Sequence, residues 1–227
     1  KTAIIQDGLE VIEERGFKST AAIEELTIPS SIKEIGNSAF KGSSGLKKVT
    51  IPANIRHVWD YAFCASHSLE EVFISEGVEE IGERSFSYCS NLKKVHLPST
   101  LRKIEAGAFA GCEKLEFIEI PESVKEIGAS AFHFCRSLKN VKIPEGITAV
   151  EEDTFYRCTS LTEIALPDSV KTIEKCAFED CFNLEQVRAS NVEKIGVFAF
   201  KNCRKLSREN MPALDEYTEK WAFAGCD

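Results

Sequence analysis

The sequence predicts a repeat solenoid of about ten 23-residue units, with short parallel strands on one face and turns and short helical segments on the other. Three observations predict this fold. Phenylalanine recurs at a nearly constant spacing, other apolar residues keep fixed distances from it, and proline recurs at one place in the unit. A unit this short cannot bury its own apolar face, whereas stacked units cover one another. We therefore expect residues 1–227 to form a single solenoid and to be a segment of a longer protein.

Ten phenylalanines set the period of the chain. Eight of the nine steps between them are 23 residues long, and the step from Phe178 to Phe200 is 22 residues. Leucine follows most of them after six residues, valine or isoleucine after nine, and isoleucine or leucine after eleven, which predicts inward-facing columns of a common core. The ten are Phe17, Phe40, Phe63, Phe86, Phe109, Phe132, Phe155, Phe178, Phe200 and Phe223.

The residues that lead to Phe109 show how each element of a unit is predicted. Val95–Leu97 alternates apolar and polar side chains, which is typical of a short half-buried strand. Pro98 has no N–H group to donate, so it ends that strand. Leu101 and Ile104 then face inward again, before the turn that holds Phe109. At about 4.8 Å between stacked strands, nine steps give a rod roughly 43 Å long.

Glycine recurs four residues before phenylalanine in several units. We expect Gly82, Gly128 and Gly196 to supply a backbone conformation that other residues avoid, because the turn into phenylalanine needs a permissive residue. Because these glycines recur at the same turn in several units, the turn accounts for them and no phosphate-binding site is needed to explain them.

Composition and charge exclude several classes of protein. The chain is 43% apolar and 28% charged, which is too apolar for a disordered chain. Its net charge of −8 argues against general binding to nucleic acid or to anionic membranes. No stretch approaches the length of uninterrupted apolar residues that a spanning helix needs, so we expect no membrane insertion of this segment.

The chain carries no common catalytic or cofactor-binding motif. It lacks the G-x-S-x-G elbow, the H-E-x-x-H zinc motif, both glycine-rich nucleotide-binding patterns and the EF-hand loop. Its four histidines fall in four different columns of the repeat, so they form no set of metal ligands. We expect no enzyme activity, no cofactor and no metal. The alternative is an active site whose residues only the stacking of units brings together.

The run from Leu115 to Cys135 reads Leu-Glu-Phe-Ile-Glu-Ile-Pro-Glu-Ser-Val-Lys-Glu-Ile-Gly-Ala-Ser-Ala-Phe-His-Phe-Cys, and its pattern extends over almost the whole chain. This pattern resembles the BspA-type leucine-rich repeat family of bacterial and protozoan surface proteins. The resemblance implies a secreted or cell-surface protein that binds other proteins, often in adhesion. We therefore expect a non-enzymatic adhesion module whose partner is a protein or peptide, such as a host extracellular-matrix protein. The alternative is a structural spacer that holds another domain off the cell surface.

Seven of the nine cysteines share one column, three residues after phenylalanine, where two other units have serine. We expect a column of reduced, buried thiols. Bridges between neighbouring units and a metal site are the alternatives, but the parallel side chains, the odd count and the lack of converging ligands argue against them. Cys64 and Cys176 lie in other columns, and we expect both to be neutral surface thiols that react fast in a titration of the native chain. The alternative for these two is an intermolecular bridge or a redox role. The seven are Cys89, Cys112, Cys135, Cys158, Cys181, Cys203 and Cys226.

Two columns of the predicted strand, eight and ten residues after phenylalanine, face outward and are mostly polar. Phe73 and Phe117 break this pattern, and His96 lies in the unit between them. An aromatic centre with a charged rim is typical of a binding surface, so we expect partner binding here. The alternative is that these aromatic residues only shield one another across strands. The full set of expected partner-binding residues is Phe73, His96, Phe117, Lys94, Glu119 and Lys142.

A second aromatic group lies outside the strand, one or two residues after phenylalanine in neighbouring units. It is a candidate contact surface, and its alternative role is to cover the turn. At the end of the chain, we expect Tyr217 and Trp221 to close the last unit. The second group comprises Tyr88, His133, Phe134, Tyr156 and Arg157.

Overall fold

The computed structural model describes residues 2–207 and 221–226, which form a solenoid of stacked units with two strands in most units. Tyr217 lies outside the described residues. The strands are β1 Thr2–Ile4, β2 Val11–Ile12, β3 Glu25–Thr27, β4 Glu34–Ile35, β5 Lys48–Ile51, β6 His57–Val58, β7 Glu71–Ile74, β8 Glu80–Ile81, β9 Lys94–His96, β10 Lys103–Ile104, β11 Phe117–Ile118, β12 Glu126–Ile127, β13 Asn140–Val141, β14 Ala149–Val150, β15 Glu163–Ala165, β16 Thr172–Ile173, β17 Gln186–Arg188 and β18 Lys194–Ile195.

The odd-numbered and even-numbered strands form two separate faces of parallel strands. On the first face, called the strand face below, β1, β3, β5, β7 and β9 pair in order, followed by the pairs β11–β13 and β15–β17. On the second face, β6, β8, β10 and β12 pair in order, and so do β14, β16 and β18. Paired strands are equivalent strands of neighbouring units, so that residues at equivalent positions of the repeat lie side by side. Glu71 lies beside Lys94, and Lys103 lies beside Glu126. The predicted solenoid of parallel strands is confirmed.

The third side of each unit, called the turn face, contains turns where short helical segments were expected. The described residues contain no helix. Successive backbone N–H groups bond alternately to the next unit and to their own turn. The Phe40 N–H donates to Ala62 O of the next unit at 2.8 Å, and the Lys41 N–H donates to Ser38 O of the same turn at 3.1 Å. The residues two before and two after phenylalanine have positive φ, as at Ser38 with 60°. Hydrogen bonds to the next unit therefore replace the continuous local bonds that a helix needs.

A column of stacked phenylalanine rings forms the centre of the core. The ten rings of the repeat stack from Phe17 to Phe223 with centroid distances of 5.1–5.8 Å and interplanar angles of 2–11°. A small residue always precedes the phenylalanine, as Ala108 does, and it is buried beside the ring in most units. Leucine, valine and isoleucine columns from both strand faces complete the core. Each unit thereby buries the apolar surface of its neighbours, as the repeat predicts.

The cysteine column is reduced, and six of its seven thiols are buried as expected, whereas Cys226 is partly exposed. None of the nine cysteines forms a disulfide. Each thiol of the column donates to the carbonyl oxygen of the phenylalanine in the preceding unit, as Cys89 Sγ does to Phe63 O at 3.2 Å. Ser66 makes the same bond to Phe40 O at 3.1 Å, which explains why serine and cysteine exchange at this position.

The expected surface position of Cys64 and Cys176 is wrong. Their exposed fractions are 7% and 8%, because neighbouring units cover both residues. Cys64 lines a groove together with Tyr61 and Arg84, and Cys176 packs beside Glu179. Burial raises the pKa of the Cys64 thiol, and burial together with Glu179 raises that of Cys176 to about 12. Their columns hold charged residues in other units, so sequence position alone concealed this burial.

The expected reason for the recurring glycines is also wrong. Gly82, Gly128 and Gly196 are not among the residues with positive φ. A Cβ atom added to Gly82 would instead lie 2.4 Å from Val58 O of the preceding unit, and one on Gly128 would lie 2.6 Å from the Ala106 nitrogen. These glycines are needed because the backbones of two neighbouring units approach each other closely at these positions. The sequence gives no sign of this close approach.

A column seven residues after phenylalanine alternates strictly in charge over six units. Lys47, Lys93 and Lys139 each bond a glutamate of the preceding unit, at Nζ–Oε2 distances of 2.7–2.9 Å. All these side chains are about half exposed, so each pair contributes little to stability alone. The alternation places unlike charges next to each other at every step of the stack. The column reads Glu24, Lys47, Glu70, Lys93, Glu116 and Lys139.

Candidate binding surface on the strand face

The pleat of the strand face decides which side chains point outward. In β7, Val72 and Ile74 are buried, whereas Phe73 between them is exposed. Phe73 has an exposed fraction of 49% and Phe117 in β11 has 58%, in columns that are otherwise mostly polar. The strands therefore present two large apolar side chains on a solvated sheet, as the sequence predicts.

Phe73 and His96 form one continuous contact. Their ring centroids are 5.5 Å apart with an interplanar angle of 38°. His96 Nε2 lies 3.4 Å from Glu71 Oε1, and Lys48 Nζ lies 3.2 Å from Glu71 Oε2. The hydrogen bond from Lys48, with a further one from His96, lowers the pKa of the Glu71 carboxyl. Lys48, Glu71 and the His96 imidazole, joined by hydrogen bonds, therefore border the Phe73 ring.

Phe117 lies two units away from Phe73. It belongs to the other outward column of the strand face, which also contains Lys94. It pairs in register with Asn140 and has no ring contact within residues 2–207. The strand pairing is interrupted between β9 and β11, although the two strands remain in contact. The structure thus brings Phe73 and His96 together and leaves Phe117 as a separate apolar point on the same face.

The charged residues of the expected surface divide into two groups. Lys94 and Glu119 are exposed on the outward columns. Lys142 instead reaches Glu122 with an Nζ–Oε1 distance of 2.6 Å, and this hydrogen bond raises the pKa of the lysine. Lys142 is therefore held by a glutamate outside the strands, at the margin of the surface.

Sequence reasoning missed a shallow depression next to this surface. A cavity of about 160 Å³ lies on the strand face beyond Lys142, lined also by Glu163 and Arg188. It exists because Ala165 occupies an outward position where neighbouring units have lysine and arginine. A small residue in an otherwise long-chain column is the sequence signal that could have revealed it.

Four members of the second aromatic group come together on the turn face. The rings of His133 and Tyr156 stack at 4.8 Å with an interplanar angle of 13°, and Phe134 meets both edge-on. The Arg157 guanidinium lies 5.3 Å from the Phe134 and Tyr156 ring centroids and bonds Asp180 Oδ2 through Nε at 2.9 Å. Tyr88, the fifth member, lies two units from His133, over Gly111.

The described parts of the chain contain no cluster of three or more His, Cys, Asp or Glu side chains arranged to hold a metal ion. The same residues include no helix long and apolar enough to cross a membrane.

Comparison with known proteins places this repeat in a family. The model of the BspA type leucine rich repeat region matches residues 10–138 and 102–227, with six copies. A comparison with curated proteins finds no match.

Solved structures of bacterial leucine-rich repeat proteins are similar to this chain. The leucine rich repeat protein of T. pallidum is 30% identical with a TM-score of 0.69, and the match covers 72% of this chain and 79% of that one. The pneumococcal vaccine antigen PcpA is 26% identical with a TM-score of 0.62, covering 88% of this chain and 55% of that one. A leucine-rich repeat protein from Eubacterium ventriosum shares the fold at 21% identity and a TM-score of 0.61, covering 98% and 82%.

Proposed function

The chain belongs to the BspA-type leucine-rich repeat family, and on this premise we propose that it is a non-enzymatic binding module, secreted or displayed at a cell surface, which binds a protein or peptide through the strand face. The family supports a binding or adhesion role in general. The strand-face patch, defined as Phe73, His96, Phe117, Lys94, Glu119 and Lys142, is the proposed contact surface.

The exposure of Phe73 and Phe117 is the observation that carries this proposal. The exposed fractions of the two residues are 49% and 58%, and the apolar surface that stays in contact with water contributes nothing to the stability of the fold. Burial of both rings under a partner would remove apolar area at roughly 25 cal/mol per Å². Aromatic residues at the centre of an interface, surrounded by charged residues, commonly supply most of its binding energy.

The charged groups around Phe73 support selectivity for a protein partner. Lys48, Glu71 and His96 form hydrogen-bonded pairs at the edge of the ring, and Lys94 and Glu119 add charges of both signs. A partner therefore needs an apolar or aromatic side chain at the centre and complementary charges around it. Host extracellular-matrix proteins are one class of partner to test, since the family resemblance implies adhesion.

A binding screen of the purified chain against extracellular-matrix and plasma proteins tests the proposal. We expect saturable binding to one of these proteins, and a loss of at least about 2 kcal/mol, or about thirtyfold in Kd, in the Phe73→Ala/Phe117→Ala variant. The free energy of unfolding should change little, because both rings are largely exposed.

The matched control is Thr27→Ala/Gln186→Ala, which truncates residues of the same two outward columns away from the patch. It should bind like the native chain. Equal loss in both variants would place the contact elsewhere. Absence of any binding, with circular dichroism showing an intact fold, would favour the structural spacer.

A further inference from the structure

One unit on the turn face has only small residues pointing outward. Around its phenylalanine the sequence is Ala106-Gly107-Ala108-Phe109-Ala110-Gly111, whereas the neighbouring units carry Arg84 and Tyr88 on one side and His133 and Phe134 on the other. Removing the side chains of one unit between two bulky ones leaves a trough across the turn face. The trough is a cavity of about 610 Å³, within the range of sites for small ligands.

Aromatic and small apolar groups define the shape of the trough. Tyr88 leans over Gly111 so closely that a Cβ there would lie 2.7 Å from Tyr88 Cδ1, and Arg84 leans over Gly107 in the same way. Tyr61 and His133 also line the trough, and Ala110 lies among its small residues. The stack of His133 on Tyr156 fixes the orientation of the imidazole. The trough therefore offers aromatic surfaces above a flat, small-residue floor.

Two residues that line the trough carry buried polar atoms without a hydrogen-bond partner in residues 2–207. These atoms are the Ser87 hydroxyl oxygen and His133 Nδ1, and Ser87 is fully buried. An unpaired buried polar group is unfavourable, and a partner able to donate or accept a hydrogen bond would remove this cost. Burial, with Arg157 nearby, lowers the pKa of the His133 imidazole and so disfavours its charged form, against the opposing effect of a hydrogen bond with the Asp153 backbone.

The one charged residue that lines the trough within residues 2–207 is Arg84, and it is paired within the protein. Its Nη1 donates to the Tyr61 hydroxyl at 3.0 Å, and this hydroxyl donates to Glu83 Oε1 at 3.0 Å. Glu83 Oε1 also lies 3.7 Å from Arg84 Nη1, so the glutamate offsets the charge of the arginine. Arg84 is therefore already bonded to groups of the protein.

From these observations we propose that the trough between Tyr88 and His133 binds a neutral saccharide. A sugar ring has an apolar C–H face that packs on an aromatic face, whose π-system is electron-rich. Its hydroxyl groups both donate and accept, so they match an unpaired serine hydroxyl and an unpaired imidazole nitrogen. The site is separate from the strand-face patch and does not depend on it.

Saturation-transfer NMR on the full chain tests the proposal. The probes are the neutral methyl glycosides of glucose, galactose, mannose and N-acetylglucosamine, with methyl glucuronide as the anionic comparison. We expect transfer to at least one of the neutral glycosides. The variant Ala110→Tyr should weaken it by about tenfold or more in Kd, since a tyrosine side chain fills the trough. Tyr156 occupies the same column in another unit, so a tyrosine is compatible with this position of the repeat.

The matched control is Ala224→Tyr, the same substitution in the same column of the last unit, and it should bind like the native chain. The Phe73→Ala/Phe117→Ala variant should also keep saccharide binding, which separates this site from the strand face. If Ala110→Tyr fails to fold, Tyr88→Ala replaces it and should also weaken binding. No transfer to any of the four glycosides, transfer only to methyl glucuronide, or undiminished binding in the trough variant would overturn the proposal.

Discussion

Each buried thiol of the cysteine column donates a hydrogen bond to a phenylalanine carbonyl of the preceding unit. The Sγ–O distances are 3.1–3.3 Å from Cys89 to Cys226, and serine replaces cysteine in the two earlier units without loss of the bond. At the scale of single residues, this column therefore needs a small side chain with a donor at its tip. Neither redox chemistry nor metal binding is required to explain it.

A pair of substitutions at Cys135 separates the hydrogen bond from packing. We expect Cys135→Ser to keep the bond to Phe109 O and to cost about 1 kcal/mol less in the free energy of unfolding than Cys135→Ala, which loses the donor and leaves a cavity. Urea unfolding measures both. Equal losses in the two variants would show that only volume matters at this position.

The raised thiol pKa values predict slow reaction with thiol reagents and sensitivity to alkali. Burial raises the pKa of Cys135 from 9.0 to about 12. A raised pKa stabilises the fold fully below the unfolded value near 9.0, and this contribution is lost as pH rises towards the folded value. Stability should therefore fall progressively above pH 9, in a denaturant titration repeated across pH.

Thiol titration of the native chain at mildly alkaline pH gives a second readout. The sequence alone predicted two fast groups, at Cys64 and Cys176, but the structure buries both. We expect these two and the six fully buried thiols to react only after denaturation, with Cys226, which is partly exposed, reacting first. Two fast groups that Cys64→Ser and Cys176→Ser remove would contradict the structure.

At the scale of elements, contact between neighbouring backbones decides which residues the turns accept. Gly82 is needed because the carbonyl of Val58 lies where a Cβ would be. Glu105 occupies the same column one unit later, so the requirement is local to particular pairs of units. The positive φ values on both sides of each phenylalanine similarly follow from hydrogen bonds to the next unit.

Substitution of Gly82 tests this explanation of the glycines. We expect Gly82→Ala to destabilise the chain by about 1–3 kcal/mol, because the new methyl group must push two backbones apart. The matched control Glu105→Ala, in the same column, should cost less than about 1 kcal/mol. Thermal and urea unfolding measure both. A neutral Gly82→Ala would mean that the close approach relaxes without cost.

At the scale of the whole molecule, the stacked phenylalanine rings couple each unit to its two neighbours and to no others. We expect Phe109→Ala to cost about 3–5 kcal/mol and to divide the solenoid into two less coupled halves. Hydrogen exchange should show faster exchange in β7 to β13, around the substitution. Phe40→Ala should accelerate exchange mainly in the units near β3 to β5. Uniform acceleration along the whole chain in both variants would instead indicate a single cooperative unit.

The amino-acid sequence by itself determined the solenoid, its register of one unit, the phenylalanine core and the two exposed aromatic residues of the strand face. These features follow from side-chain periodicity, because a pleated strand alternates its faces and a constant repeat must stack in register. Phe73 and Phe117 could be identified as outward-facing for the same reason. The identity of the partner that contacts them depends on the chemistry of another molecule, and the repeat pattern carries no information about that molecule.

Only the tertiary structure decided the features that depend on what lies one unit away. The contact of Phe73 with His96 but not with Phe117, the burial of Cys64 and Cys176, and the close approach at Gly82 all depend on distances between units. The turns replaced short helices because backbone hydrogen bonds to the next unit outcompete local ones. The trough also needs bulky side chains on both sides of a small-residue unit. A sequence records which side chains occur in each unit, whereas stacking decides which of them meet.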